Sequence, residues 1–319
     1  MLHTNIVGIK LHSFTSTIAA NSEQVEGKLI YKTAFHQTTA DLGFDAASRL
    51  LVACGINTNE IGLLLFGSKT PDYRSPITAA VLQGRLNLTF DCICYDINLG
   101  INAFAQLTQI GSSVLKNTNK KYALLIFGDT PSKLFMNNID NVFKSSDAAT
   151  ALLLEKTDDN DVLKFVNFSM GIFSDAIRLK SGGFRDFNLS YPFDSTKMSN
   201  FVVSIKEELL EKAVQSIDMS VVEDFTKNTT AFYHSDYLRN LKPNHLQMMD
   251  GRIFADASEL PILLASVFES KIEKGSSFSF VSIGEGMSLY CMKINHVPFI
   301  VKTVHSSSIF DDFRISHEM

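Results

Sequence analysis

Short apolar runs alternate with stretches of helical periodicity along this chain. In the first half, strands are predicted near residues 60–66, 88–94, 122–128 and 147–155, and helices near residues 39–54, 76–84 and 101–116. Helices that alternate with strands bury their apolar faces against the sheet that those strands form. The sequence therefore predicts a layered α/β fold.

The composition and charge exclude several classes of protein. The chain has 319 residues, of which 45% are hydrophobic, so it can bury a large core. Its net charge is −5, and no basic run extends beyond Lys120-Lys121, which argues against nucleic-acid binding. No apolar run approaches the roughly 18 residues that a transmembrane helix needs, and the N-terminal stretch lacks the apolar segment of a signal peptide. We expect no membrane span.

The four cysteines lack the spacing of a disulfide framework or of a metal site. We interpret Cys54, Cys92, Cys94 and Cys291 as small buried hydrophobic residues, and free thiols favour a reducing cytoplasm. Cys94 precedes residue 101 closely enough to be an alternative nucleophile. The sequence predicts no bound metal and no cofactor.

One segment has the layout of an active-site element. The apolar run at 88–94 predicts a strand, residues 96–100 a tight connection, and the stretch that begins at Ile101 a helix. Several folds hold a nucleophile at such a helix N-terminus, where free N–H groups and the helix dipole favour a thiolate. Here the residue in that place is Ile101, which carries no thiol.

Motifs along residues 38–155 carry a resemblance to a known family. Tyr95-Asp96 followed by Ile101 and Phe104 resembles a pattern in which FD precedes Cys and then Gly-Phe. The stretch from Thr70-Pro71-Asp72-Tyr73 to Leu86 resembles "TPDY..P..A..VQ..LG", and Ser146 to Glu155 resembles "GDGAGAVLLE". In these motifs the chain resembles the β-ketoacyl-ACP synthases III (KAS III) of the thiolase superfamily, as a degenerate member.

The resemblance implies a thiolase fold, with two similar α/β halves in a five-layer αβαβα arrangement. We place the N-terminal half at residues 1–160 and the C-terminal half at 161–319. The second half includes a connecting or lid segment at 161–197, which contains a Gly-rich loop signal.

The resemblance also implies where catalytic residues would lie. Ile101 takes the place of the catalytic cysteine, and the stretch around His234 resembles "PHQAN.R", so His234 takes the place of the catalytic histidine. Arg239 then corresponds to a basic residue near the carrier or CoA entrance, and Phe254 to the catalytic asparagine. The Gly284–Gly286 stretch resembles a "GGGL" turn whose backbone approaches the active site. No family catalytic set is intact.

These losses lead to the main hypothesis. A covalent nucleophile and an oxyanion donor each contribute orders of magnitude to rate, and neither isoleucine nor phenylalanine supplies such a group. We therefore expect a catalytically inactive KAS III-like subunit that is not an enzyme on its own. It would pair with an active ketosynthase paralogue, as a heterodimer or heterotetramer, in fatty-acid-derived or polyketide-type biosynthesis, with acyl carrier protein as a further partner.

Two alternatives remain open at this point. The chain could be a cysteine-independent acyltransferase or thioesterase that uses His234 to activate an alcohol, an amine or water. It could also be a homodimer that binds acyl chains or acyl carrier protein without catalysis. The absence of tryptophan from the chain disfavours loading from CoA, because the resemblance places a tryptophan at the adenine.

Overall fold

A computed structural model describes nine stretches of the chain, residues 2–25, 28–133, 145–159, 162–179, 203–234, 246–248, 255–269, 277–295 and 298–306. The strands are β1 Leu2–Val7, β2 Ile9–Ile18, β3 Asn21–Val25, β4 Lys28–Lys32, β5 Ile61–Gly67, β6 Ile93–Ile97, β7 Tyr122–Asp129, β8 Ala148–Lys156, β9 Val162–Ser169, β10 Ile177–Leu179, β11 Val203–Ile205, β12 Thr230–His234, β13 Leu246–Met248, β14 Phe278–Gly284, β15 Ser288–Ile294, β16 Phe299–Ile300 and β17 Val304–His305. The helices are α1 Thr39–Cys54, α2 Thr78–Arg85, α3 Ala103–Leu115, α4 Glu207–Gln215, α5 Met219–Thr226 and α6 Glu259–Glu269. Short 3₁₀ turns include Pro131–Lys133 and Asp256–Ser258.

The first sheet has the strand order β16-β2-β8-β7-β5-β6, and β17 also pairs with β2. Strands β5, β6 and β7 are parallel, whereas β8 runs antiparallel to both β7 and β2. Every residue of β5 and β7 is buried, which explains their continuous apolar sequences, since central parallel strands are covered on both faces.

The second sheet has the order β1-β9-β15-β14-β12-β13. Its strands β12, β13 and β14 are parallel, and β15, β9 and β1 complete it in antiparallel fashion. The two sheets exchange terminal strands, because β1 joins the second sheet while β16 and β17 join the first. The division of the chain at residue 160 stays a prediction.

Three apolar clusters show how the layers stack. Helices α1 and α2 pack on the outer face of the first sheet, and α4 and α5 pack on the outer face of the second. Helices α3 and α6 contribute to a third cluster that also contains side chains from both sheets, so they lie between the sheets. The layers therefore follow an αβαβα order, as the fold prediction requires.

Local sequence signals fix the ends of the helices on the first sheet. A capping box joins Thr38 and Asp41 at the start of α1, and Gly55 ends that helix with φ 63° in the left-handed region. At the start of α2, the Asp96 carboxylate accepts backbone hydrogen bonds from Thr78 and Ala79 at 2.6 and 2.7 Å. The carboxyl end of β6 is thereby tied to the head of α2.

The strand predicted at residues 88–94 is wrong in position, because β6 begins only at Ile93. Residues 86–92 instead close the end of α2: Asn87 has φ 52°, and the Leu88 N–H bonds the Gln83 carbonyl. The Cys92 N–H then bonds the Thr89 carbonyl in a further turn. Backbone groups used in this way are not free to join the ladder, so apolar content alone misplaced the strand.

Candidate functional site

The site lies where the carboxyl ends of the parallel strands meet, which is where open α/β sheets place their ligands. Lys69 follows β5, Ile101 follows β6, and Asp129 is the last residue of β7. The second sheet contributes Glu285 from the turn between β14 and β15, and the 3₁₀ turn before α6 contributes Asp256. These five residues form one cluster, because both sheets direct strand ends at the head of α3.

Ile101 lies in the turn that leads into α3, whereas the sequence placed it at the start of the helix, which begins at Ala103. Its side chain is half-buried hydrocarbon and has no nucleophilic atom. Its backbone N–H lies beside the Glu285 carboxylate and contributes to lowering the pKa of that group. Gly100 lets this carboxylate approach, since a Cβ at that position would lie 2.5 and 2.6 Å from the two carboxylate oxygens. The head of α3 therefore holds a negatively charged oxygen, although the side chain at position 101 is apolar.

A buried ion cluster surrounds this helix head. The Lys69 Nζ lies 2.8 Å from Glu285 Oε1 and 3.3 Å from Asp256 Oδ2. The side chains of Lys69 and Asp256 are each 9% exposed, whereas that of Glu285 is 24% exposed. Asp129 is buried, and its Oδ1 accepts hydrogen bonds from the Lys69 N–H at 2.7 Å and from Ser68 Oγ at 3.1 Å. Within the described part of the chain, Asp129 Oδ2 forms no hydrogen bond.

Burial and mutual charge shift the pKa values in this cluster. Burial disfavours the charge of Lys69, but the three carboxylates around it prevail and hold its pKa above the ordinary value. Burial raises the pKa of Asp129 to about 7, against the opposing effect of Lys69, and burial also raises the pKa of Asp256. Burial also acts to raise the pKa of Glu285, but the Lys69 ammonium outweighs burial, so the pKa of that carboxyl is lowered. The cluster therefore combines buried groups whose pKa values are shifted in opposite directions, which is typical of functional sites.

Asn102 ties the head of α3 to the second sheet. Its Nδ2 donates to the backbone carbonyl and to the Oγ of Ser288, both at 2.9 Å. Gly284 permits this approach, because a Cβ there would lie 2.6 Å from Asn102 Nδ2. The position of the turn that carries Glu285 is thus fixed relative to Ile101.

The other predicted site residues are only partly covered by the structure. His234 is the last residue of β12, and its backbone lies opposite Ser282 of β14, the strand that leads into the Glu285 turn. Its side chain, and all of Phe254 and Arg239, lie outside the described residues. Residues 180–197, the second part of the 161–197 segment, also lie outside the described residues. The roles predicted for these positions stay predictions.

The cysteines lie away from the helix head. Cys92 and Cys291 are buried, while Cys54 and Cys94 are partly buried and pack against the cluster beneath α1 and α2. Cys94 Sγ donates to the Cys92 carbonyl at 3.6 Å. Since α3 covers the other face of the first sheet, Cys94 does not lie beside Ile101 and does not replace the missing thiol.

No group of three or more His, Cys, Asp or Glu side chains in the described stretches is arranged to hold a metal ion. The three acidic side chains at the helix head instead surround the Lys69 ammonium. Among the described helices, none has the length and apolar character to cross a bilayer.

Sequence reasoning missed the charged members of the site. Lys69, Asp129 and Asp256 were not singled out, and the Glu285 turn was noted only for its backbone. The available signal was their position, because Lys69 and Asp129 each come at the end of a buried apolar strand. A charged residue in that place, at the carboxyl edge of a parallel sheet, indicates a site.

Comparisons with known proteins agree with this architecture. The family described as 3-oxoacyl-[acyl-carrier-protein] synthase III matches residues 95–171. A β-ketoacyl-[acyl-carrier-protein] synthase III of Clostridium perfringens is 25% identical over 273 residues, which cover 79% of this chain and 83% of the relative. The enzyme of the same name from Neisseria meningitidis is 30% identical over 137 residues, 43% of each chain. This chain is KAS III-like.

Solved structures similar to this KAS III-like chain show the thiolase fold. A 3-oxoacyl-(acyl-carrier protein) synthase from Burkholderia xenovorans LB400 superimposes with a TM-score of 0.81 at 20% identity and covers 96% of this chain and 99% of its own. A variant of OleA from Xanthomonas campestris superimposes with a TM-score of 0.73 at 16% identity, over 91% and 99% of the two chains. The predicted fold class is confirmed.

One expectation is wrong. The sequence analysis predicted that the chain is not an enzyme on its own, whereas the relatives that it matches are named as synthases. The expectation considered only the side chains at positions 101 and 254. The backbone N–H at Ile101 and the ionised groups beside it do not depend on a cysteine.

Proposed function

We propose that this chain is an acyl-transfer enzyme that acts on acyl thioesters without an acyl-cysteine intermediate. The observation that carries the proposal is the convergence of the Ile101 N–H and the Lys69 ammonium on one carboxylate, that of Glu285. Two donors that lie beside a carboxylate also suit the oxygen of a thioester carbonyl, on which negative charge develops during attack.

The proposed reaction is a direct displacement. His234, at the end of β12, takes a proton from water, an alcohol or an amine, whose freed lone pair attacks the thioester carbon. The carbonyl electrons move onto oxygen, where the Ile101 N–H and Lys69 stabilise the charge. When the carbonyl forms again, the carbon–sulfur bond breaks, and the leaving thiolate takes the proton back from His234. No bond to residue 101 forms at any step.

The names of the relatives support a substrate class. Their printed names refer to acyl carrier protein, so we propose an acyl-ACP as the donor, with Arg239 near the entrance for the carrier arm. The proposed setting is fatty-acid-derived or polyketide-type biosynthesis in the cytoplasm. The 1–160 and 161–319 halves would enclose the acyl group between them, beneath the 161–197 segment.

Thiol release and mass spectrometry together test the proposal. We expect the purified chain to release thiol from acyl-ACP without gaining mass, and Ile101→Cys to gain the mass of the acyl group. His234→Ala should slow thiol release by roughly 100- to 10,000-fold, whereas His3→Ala, on the exposed edge of β1, should not. An acyl adduct on the wild-type chain, or no thiol release under any of these conditions, would contradict the proposal.

We also propose that a ketosynthase paralogue pairs with this chain along β6, in a heterodimer or heterotetramer. Within the described residues, β6 is the edge strand of the first sheet. Ile93 and Tyr95 on this strand are 38% and 54% exposed, and Phe90 just before it is fully exposed. A bare edge with apolar side chains favours pairing with a second strand.

Size measurements on the chain alone and mixed with the paralogue test this pairing. Ile93→Lys places a charge on the edge and should abolish the mixed complex, while Ile172→Lys, at a more exposed site in the 3₁₀ turn after β9, should leave it intact. If the chain forms only homodimers, or if Ile93→Lys has no effect, the pairing is refuted.

A further inference from the structure

The donors at the head of α3 are already occupied within this chain. The Glu285 carboxylate pairs with Lys69 at 2.8 Å, and the nearby backbone N–H groups of Ile101 and of Glu285 itself add to the stabilisation of its charge. Gly100 lies directly beneath it, with no space between for another group. A thioester carbonyl cannot reach the Ile101 N–H while this carboxylate is in place.

We infer that Glu285 is an internal occupant of the acyl-carbonyl site, which an incoming thioester must displace. The inference rests on the function proposed above, because it assigns the same donors to the substrate carbonyl. It adds a competition, in which the protein's own carboxylate and the substrate oxygen exchange at one backbone N–H. Glu285 thereby sets the affinity of the site and keeps its donors satisfied when no substrate is bound.

The surrounding turn allows the side chain, but not the backbone, to move. The Gly286 N–H bonds the Ile177 carbonyl, and the Met170 N–H bonds the Met287 carbonyl, so the turn is held on its outer side. Glu285 is the most exposed of the cluster's ion-paired side chains, at 24%. Rotation about its side-chain bonds is therefore the motion that releases the Ile101 N–H.

When substrate displaces Glu285, the Lys69 ammonium still has carboxylates beside it. Lys69 Nζ is also 3.3 Å from Asp256 Oδ2, and the charge of Asp129 acts on it as well. These two carboxylates keep the ammonium compensated in the buried site while Glu285 is turned away. The cost of opening is then mainly the charge-assisted hydrogen bonds that Glu285 gives up.

Ligand binding measures the competition directly. The probe is a ketone analogue of an acyl-pantetheine, in which a methylene replaces the thioester sulfur so that no bond can break. Calorimetry should show that Glu285→Ala binds this analogue roughly 10- to 100-fold more tightly than wild type, the range expected for release of hydrogen bonds to a charged group. Glu285→Gln, which can still accept from the Ile101 N–H, should show a smaller gain.

Acetate provides a second measurement that does not depend on the acyl chain. In Glu285→Ala it should occupy the vacated site, shift the amide resonance of Ile101 and weaken binding of the ketone analogue. In wild type it should do neither. Glu223→Ala, on the exposed face of α5, is the matched control and should bind both probes as wild type does.

Outcomes for the two proposals can be told apart. If Glu285→Ala, or Glu285→Gln should the alanine variant not fold, binds the analogue no more tightly than wild type, the competition is refuted even where wild type releases thiol from acyl-ACP. If the variants bind the analogue more tightly and acetate shifts the amide resonance of Ile101, the competition holds even where wild type releases no thiol from acyl-ACP. In that case only the proposed reaction fails.

Discussion

Replacing Lys69 with methionine removes the ammonium that lies between Glu285 and Asp256 and leaves three buried carboxyl groups together. With an effective dielectric constant near 20, an ion pair at 2.8 Å is worth about 6 kcal/mol and one at 3.3 Å about 5 kcal/mol. The variant no longer has the cost of burying the ammonium. The net loss in the free energy of unfolding is therefore much smaller than the sum of the two ion-pair energies. Breaking a buried pair typically costs about 3–5 kcal/mol, and we expect Lys69→Met to lose this much at pH 8.

The stability lost by Lys69→Met should depend on pH, and the direction of this dependence follows from the pKa values of the three carboxyl groups. Without Lys69 their pKa values rise in the folded state, because burial and mutual repulsion are no longer opposed. A carboxyl group whose folded pKa is raised contributes stability below its unfolded pKa, and this contribution is lost as pH rises through the folded pKa. Each such group changes the free energy of unfolding by up to about 1.4 kcal/mol per pH unit. Lys69→Met should therefore regain most of its loss at pH 5.

Urea denaturation at pH 5 and pH 8 measures both quantities. Lys227→Met, which removes an exposed lysine just after α5, is the matched control and should change the free energy of unfolding by less than about 0.5 kcal/mol at either pH. A loss for Lys69→Met below about 1 kcal/mol at pH 8, or an equal loss at both pH values, would refute the electrostatic account of this cluster.

Further variants test other parts of the structure by denaturation. Because burial raises the pKa of Asp129 from 3.8 to about 7, the contribution of this group to stability should fall as pH rises between those values, so the free energy of unfolding of wild type should decrease relative to that of Asp129→Asn over this range. Asp96→Ala removes the carboxylate that caps α2 and should cost about 1–2 kcal/mol. Gly128→Ala forces a methyl into the backbone of Ala148 and should cost about 2–3 kcal/mol, whereas Gly84→Ala, in open space on α2, should stabilise by about 0.5–1 kcal/mol.

The central strands and helices could be predicted because their local signals agree with their surroundings. The fully apolar runs of β5 and β7 are buried on both faces, and α1 begins and ends at a capping box and a left-handed glycine. The β3–β4 hairpin was missed, since β3 is largely polar and the apolar residues of β4 are consecutive and do not alternate. Strand β6 was placed too early because the apolar residues before it serve the end of α2.

The site was predictable only in part. The place of Ile101 at the head of α3 follows from a local strand–turn–helix pattern, and the structure has it there. The ion cluster is not local: Lys69 and Glu285 are separated by 216 residues and meet only because strands of two different sheets end at the same helix. Such a contact is visible in sequence only as charged residues at strand ends, with no indication of which ends will meet.

The two properties that a condensing-enzyme site places at one residue are separable here. A thiol belongs to the side chain and is lost with a single substitution, while the N–H at the same position belongs to the backbone and persists with any residue except proline. In this chain the helix that directs that N–H is fixed by Asn102 and by packing between the sheets, and neither depends on the side chain at 101. Replacement of sulfur by hydrocarbon therefore removes covalent storage of an acyl group but leaves the means to polarise a carbonyl. A ketosynthase-like chain with Ile101 can then remain an enzyme, provided that a carboxylate such as Glu285 yields the donors when substrate arrives.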